Sequence, residues 1–125
     1  MNKRRNVFAM NTQLPPDGPE LCETLATGAG SVRLERIVSN GQVTPEDEWY
    51  DQNRDEWVVV LEGEARLRYA DGEELDLKRG DALFLPRHKK HRVTYTSSPC
   101  LWLAIHADSL SPQPEVALKP DGAAI

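Results

Sequence analysis

The sequence predicts an all-β fold: a small antiparallel barrel with one polar cluster in its mouth. Three observations predict it. Short apolar runs closed by turn residues stand out, above all Glu56-Trp-Val-Val-Val-Leu-Glu-Gly63 and Gly80-Asp-Ala-Leu-Phe-Leu-Pro86-Arg-His-Lys-Lys-His91. Turn signals recur at about the 8 to 12 residue spacing of all-β sandwiches and barrels. No window has a convincing helical period.

Residues 1–20 read as an irregular N-terminal arm, because Pro15, Pro16, Gly18 and Pro19 forbid regular structure. Leu21 to Leu25 reads as a first short strand, and Gly28 to Gly30 as a turn. Ser31 to Ser39 begins with apolar/polar alternation of period two, the pattern of a half-buried strand, and a slip at Arg36 suggests a bulge there. Asn40-Gly41 reads as a hairpin turn into a strand beginning at Gln42 to Thr44. Pro45 to Asp55 is a charged loop or edge segment.

Glu56 to Leu61 is nearly continuous in apolar residues and reads as a central strand ended by Gly63. Ala65, Leu67 and Tyr69 alternate with Glu64, Arg66 and Arg68, and Asp71-Gly72 turns the chain into Leu75 and Leu77 with their own polar neighbours. Arg79-Gly80-Asp81 is a third turn, and Ala82 to Pro86, Arg92 to Thr96 and Leu101 to Ala107 complete the strands. The barrel therefore occupies 21–107, and 108–125 read as a flexible tail or a strap over the barrel.

At 125 residues the chain is one domain, large enough to bury a core without metal or disulfide staples. Its formal net charge of −5 argues against broad nucleic-acid binding, which needs an extended basic surface. No apolar run approaches the length of a membrane span. The basic start at Lys3-Arg4-Arg5 lacks the apolar stretch of a secretory signal, and Cys22 and Cys100 read as two reduced thiols of a cytoplasmic protein.

The two long segments quoted above resemble the two motifs of the cupin superfamily. Glu56 and Gly63 hold the last places of its first motif; Gly80, Pro86 and His91 hold places of its second, with Asp81 after the glycine. The resemblance runs over roughly residues 32 to 107 and implies a double-stranded β-helix, a jelly-roll barrel. The His-x-His places of the first motif fall on Tyr50 and Gln52, or on Trp49 and Asp51, so neither spacing supplies a histidine. The glycine place of the second motif is His88, and the asparagine place is Tyr95. By this resemblance the metal ligands are Glu56 and His91, assisted by Gln52 as a weak oxygen donor and by His106 if its strand faces inward with Trp102 and Ala104. The ion implied is a divalent transition metal: iron, manganese, nickel or zinc. The resemblance also implies a homodimer and permits dioxygenase or isomerase chemistry on a small polar or anionic molecule.

Each of these residues has a plainer reading. Glu56 and His91 can simply satisfy one another in a barrel without metal, in which case the protein is a non-catalytic ligand sensor or a structural module. Paired in an apolar pocket, they can also serve as base and acid. His106 can be a core or rim histidine. His88 reaches the mouth or faces solvent. Tyr50, Tyr95 and Trp102 line a ligand pocket or pack as core aromatics. The run Arg87 to Arg92 is either a solvated loop or an electropositive rim that draws in an anion.

Overall fold

The computed structural model describes residues 4–10, 14 and 18–113. The prolines at 15 and 16 and most of the expected C-terminal tail, 114–125, lie outside the described residues. Eight strands follow in order: β1 (Leu21–Thr27), β2 (Arg33–Ser39), β3 (Asp55–Glu62), β4 (Glu64–Tyr69), β5 (Glu74–Lys78), β6 (Ala82–Leu85), β7 (His91–Thr96) and β8 (Cys100–Ala107). Among the described residues there is no helix, and so none long and apolar enough to cross a membrane.

The strands form two antiparallel sheets, one of five strands in the order β1-β2-β8-β3-β6 and one of three in the order β5-β4-β7. Their inner faces share one core. Val58, Val60, Leu85, Trp102 and Ala104 of the large sheet pack with Ala65, Leu67, Tyr69 and Leu77 of the small one. These are the alternate residues of each strand, as the period-two pleat requires.

Gly63 makes the tight passage from β3 to β4. Its φ is +86°, and a Cβ there would lie 2.3 Å from Ser97 Oγ and 2.5 Å from the Pro99 carbonyl oxygen. Only glycine combines that backbone with that approach. Gly80 needs its φ of +88° but has open space where a Cβ would stand, so its requirement is conformational alone. The turn at Gly80 carries the chain between sheets and is tied back to β3 by Gly80 N–H to Val60 O (2.6 Å) and Val60 N–H to Asp81 O (3.0 Å). Pro86 follows the last residue of β6, where no ladder bond is lost.

Three local expectations are corrected. Asn40-Gly41 does not close a hairpin, and Gln42 to Thr44 is not a strand. The segment crosses to the small sheet and docks on β7, with Thr44 N–H on Val93 O (2.9 Å) and Thr96 Oγ1 donating to Gln42 O (2.7 Å). Position φ > 0 at Gly41 was legible; the partner strand was not. The bulge lies in β1 between Thr24 and Ala26 rather than at Arg36, and β2 pairs with β8 without a break. Arg36 looks like a register slip because a charged residue sits where an apolar one belongs. The reason is an unusual set of partners: its guanidinium is buried on the outer face, bonded to Glu23 and to the carbonyls of Val7 and Ala9.

Candidate functional site

One row of side chains crosses the inner face of the large sheet at its open end. Arg33 pairs with His106, His106 with Glu56, and Glu56 with Leu85, on β2, β8, β3 and β6 in turn. The next row inward holds Glu35, Ala104, Val58 and Leu83, and the third Ile37, Trp102 and Val60. The sheet is thus apolar in its depth and ionisable at its mouth.

Within the mouth, Gln52, Glu56 and His106 come together. Gln52 Nε2 donates to Glu56 Oε1 at 2.9 Å. Glu56 Oε2 lies 4.0 Å from His106 Nε2, and Glu35 Oε1 lies 3.5 Å from the same nitrogen. Glu56 is 8% exposed and His106 7%. His106 Nε2 is buried and has no hydrogen-bond partner, and the same holds for Arg33 Nε. Buried polar atoms are nearly always paired, and leaving one unpaired costs about 1–3 kcal/mol, so these two call for a reason. His106 and Arg33 line a cavity of about 530 Å³ together with Asp51, Gln52, Asn53 and Arg54. Both nitrogens lie within ion-pair distance of Glu35 but make no hydrogen bond to it.

His91 faces the same interior from the small sheet, opposite Tyr69 of the core, and is 5% exposed. Its contacts differ from those expected. Its Nδ1 sits 3.0 Å from Lys89 O; a carbonyl only accepts, so Nδ1 donates the hydrogen bond and Nε2 is left free of it. Its ring stacks on Tyr50 with centroids 5.5 Å apart, and the two backbones exchange both hydrogen bonds, at 2.8 and 3.1 Å. The imidazole in contact with Glu56 is therefore that of His106. The Tyr50 phenol is pushed above its ordinary pKa by burial first, with Glu20, Cys22 and Glu56 adding to the shift, so it stays a neutral hydroxyl.

The other expected lining residues lie elsewhere. Tyr95 is on the outer face and 47% exposed. A bulge leaves Thr94 without a partner between Tyr95–Arg66 and Val93–Leu67, and one extra residue exchanges the two faces of a strand. Trp102 is core, two rows below the mouth, with Nε1 donating to Ser39 Oγ at 3.1 Å. His88 is solvent-facing at φ +62°, its Nδ1 2.9 Å from Asp51 Oδ1. Much of the basic run is engaged: Lys89 Nζ lies 4.0 Å over the Tyr69 ring, and Arg92 holds the carbonyls of Glu46 and Thr44.

Arg33, Glu35 and Arg54 were not expected in the mouth. The ordinary rule for a half-buried strand turns Leu34 inward and its charged neighbours out. Here Arg33 and Glu35 face in and Leu34 faces out. The only signal in the sequence was their spacing of two from Ile37, which is ambiguous until β8 fixes the register.

The donors suit a divalent metal in type: a carboxylate, an amide oxygen and two imidazoles with open Nε2 atoms. Among the described residues no three His, Cys, Asp or Glu side chains form a group that could hold a metal ion.

The comparisons with known proteins agree with this architecture. The Cupin domain family matches residues 35–106. The chain belongs to the cupin family. A cupin fold of this kind is also found in a protein from Ralstonia eutropha JMP134 named as a candidate mannose-6-phosphate isomerase, 38% identical, with a TM-score of 0.75 over 86% of this chain and 100% of that one. A cupin superfamily protein from Desulfitobacterium hafniense DCB-2 has a TM-score of 0.69 at 21% identity, over 87% of this chain and 94% of that one. A polyketide cyclase from Streptomyces resistomycificus has a TM-score of 0.63 at 24% identity, over 98% and 90%. The last two share the fold. No curated protein matches the chain.

Proposed function

We propose that this cupin binds a small polar molecule in the mouth and isomerises it by acid–base chemistry on the Glu56–His106 couple. The observation that carries the reading is the His106 side chain: its Nε2 is buried without a hydrogen-bond partner, 4.0 Å from a Glu56 carboxylate oxygen, and the residue lines a cavity of about 530 Å³. Glu56 Oε1 is held by Gln52, which leaves Oε2 as the basic atom. In a hydroxy-carbonyl substrate, Oε2 takes a proton from the carbon beside the carbonyl and returns it to the former carbonyl carbon. His106 Nε2 passes the hydroxyl proton to the carbonyl oxygen. Atoms and electrons balance without an oxidant, and a positioned pair of this kind is worth about 10²–10⁴ in rate. The name of the 38% identical relative favours the same reaction class.

A second reading, a centre of iron, manganese, nickel or zinc on Gln52, Glu56, His91 and His106 and with it dioxygenase chemistry, draws on the two open imidazole nitrogens. The free thiols Cys22 and Cys100 favour a reducing compartment such as the cytoplasm.

The test is aldose–ketose conversion of mannose 6-phosphate, followed by NMR, with metal analysis of chelator-free protein. Turnover that survives chelation and is lost in Glu56→Gln supports the first reading. Turnover that tracks stoichiometric metal supports the second. Ligand binding with no turnover under either condition makes the protein a sensor and overturns both.

A further inference from the structure

The cavity walls carry two guanidinium groups that the acid–base couple does not use. Arg33 stands beside His106 in the mouth row. Its nearest acid is Glu35, with Arg33 Nε 3.4 Å from Glu35 Oε2, yet that nitrogen is buried without a hydrogen bond. Arg54, half-buried on the facing loop, has no side-chain hydrogen-bond or ion-pair partner among the described residues. Both side chains line the same cavity as His106 and Gln52. The one acid among the lining residues is Asp51, and its Oδ1 is taken by His88.

A guanidinium is a rigid fork of donors that matches the geometry of a carboxylate or phosphate. Its charge persists at any working pH, so an empty fork on a cavity wall is a fixed positive potential. In the expected electropositive rim, Arg87 to Arg92, His88 is held by Asp51, Lys89 stacks over Tyr69 and Arg92 holds the Thr44 and Glu46 carbonyls. On the cavity wall, Arg54 has no ion-pair partner among the described residues and Arg33 shares its charge with Glu35 alone.

We infer that Arg33 and Arg54 form an oxyanion subsite across the mouth from Glu56, so that the ligand is a small polyhydroxy molecule bearing a terminal phosphate or carboxylate. The subsite rests on the proposal that ligand occupies the mouth, and not on the proposed chemistry. The anion anchors one end on the arginines while the uncharged end reaches the Glu56–His106 couple.

The experiment is calorimetric titration of the full chain with mannose 6-phosphate, mannose, mannonate and inorganic phosphate. The wild type, Arg33→Gln, Arg54→Gln, the double variant and Glu56→Gln are each titrated, with Lys90→Gln as a surface control. Mannose 6-phosphate or mannonate is expected to bind at least about tenfold tighter than mannose, and whichever binds better names the anion. Each arginine variant is expected to lose about tenfold for the charged ligand and nothing for mannose, and the double variant to bind charged and neutral sugars alike. Raising the salt concentration should weaken the wild type and not the double variant. Glu56→Gln, which lacks the base, reports ligand binding without turnover, so a failure of the chemistry is seen separately. Equal binding of charged and neutral sugars by wild type, or unaltered binding in both arginine variants, overturns the subsite. So does an absence of binding by all four probes. Circular dichroism guards against misfolding of Arg33→Gln, and Arg54→Gln, on a loop, carries the test if that variant fails to fold.

Discussion

Glu56 and His106 sit directly opposite one another on β3 and β8, with Oε2 and Nε2 4.0 Å apart in the mouth of the cupin. The pairing holds each group by backbone hydrogen bonds on both neighbouring strands, because β8 lies between β2 and β3. Gln52 adds a third constraint on the carboxylate. Replacing Glu56 by Gln keeps the shape and removes the base, so turnover should fall about 10²–10⁴-fold with little change in thermal stability. Gln52→Ala, which frees Oε1, should cost less, about tenfold in kcat. Steady-state kinetics on the two variants checks the order.

Gly63→Ala should be the most damaging glycine-to-alanine change among the described residues. The new Cβ would meet Ser97 Oγ at 2.3 Å and the Pro99 carbonyl at 2.5 Å, on a backbone of φ +86°. Strained backbone of this sort costs about 1–3 kcal/mol before the clash is counted. Gly80→Ala meets nothing within 4 Å and bears only the conformational part. Chemical denaturation should place Gly63→Ala clearly below Gly80→Ala; equal values would show that the close approach at Ser97 does not matter.

Asp55 joins two loops through one carboxylate. Oδ2 accepts the Leu110 N–H at 2.9 Å, and Oδ1 accepts the Arg87 N–H at 2.8 Å. The Leu110 bond first and the Arg87 bond second hold its pKa below the usual carboxylate range. A depressed folded pKa contributes stability that is fully present above the unfolded value, near 3.9, and is lost as pH falls through the folded value. Asp55→Asn should therefore lower Tm at pH 7, and the gap to wild type should narrow below about pH 4. Melting curves across pH 3 to 7 read both effects.

Arg36 fastens the N-terminal arm. Its buried guanidinium bonds Glu23 and the carbonyls of Val7 and Ala9, while Arg5 reaches Glu23 at 2.7 Å from the arm itself. Truncation to Ala leaves the Val7 and Ala9 carbonyls without their donor, and an unmade buried hydrogen bond costs about 1–3 kcal/mol. Arg36→Ala should expose residues 4–10 to protease, read by limited proteolysis and mass spectrometry, whereas Arg5→Ala, at an exposed pair, should not.

Strand identity was legible because alternation and turn chemistry are local. Ala65, Leu67 and Tyr69 announced their inner face, Gly63 and Pro86 announced where strands stop, and the cupin pattern at Glu56, Gly80 and His91 announced the scaffold. The site was only partly legible. Glu56 and His106 were nameable as members of one ligand set only if the His106 strand faced inward, a condition set by the meeting of β3 and β8, segments some fifty residues apart. The inward turn of Arg33 and Glu35 follows from β2 pairing with β8 in one register; a slip of a single residue would have put Leu34 in the mouth and both charges in water. The bulge at Thr94 did the opposite for Tyr95, sending an expected pocket aromatic to the surface. By itself the chain's order of residues determined where backbone extends and where it turns, because sterics and side-chain burial act between near neighbours. The tertiary structure alone decided which ionisable groups share the mouth, because strand register is set by contacts between residues far apart along the chain.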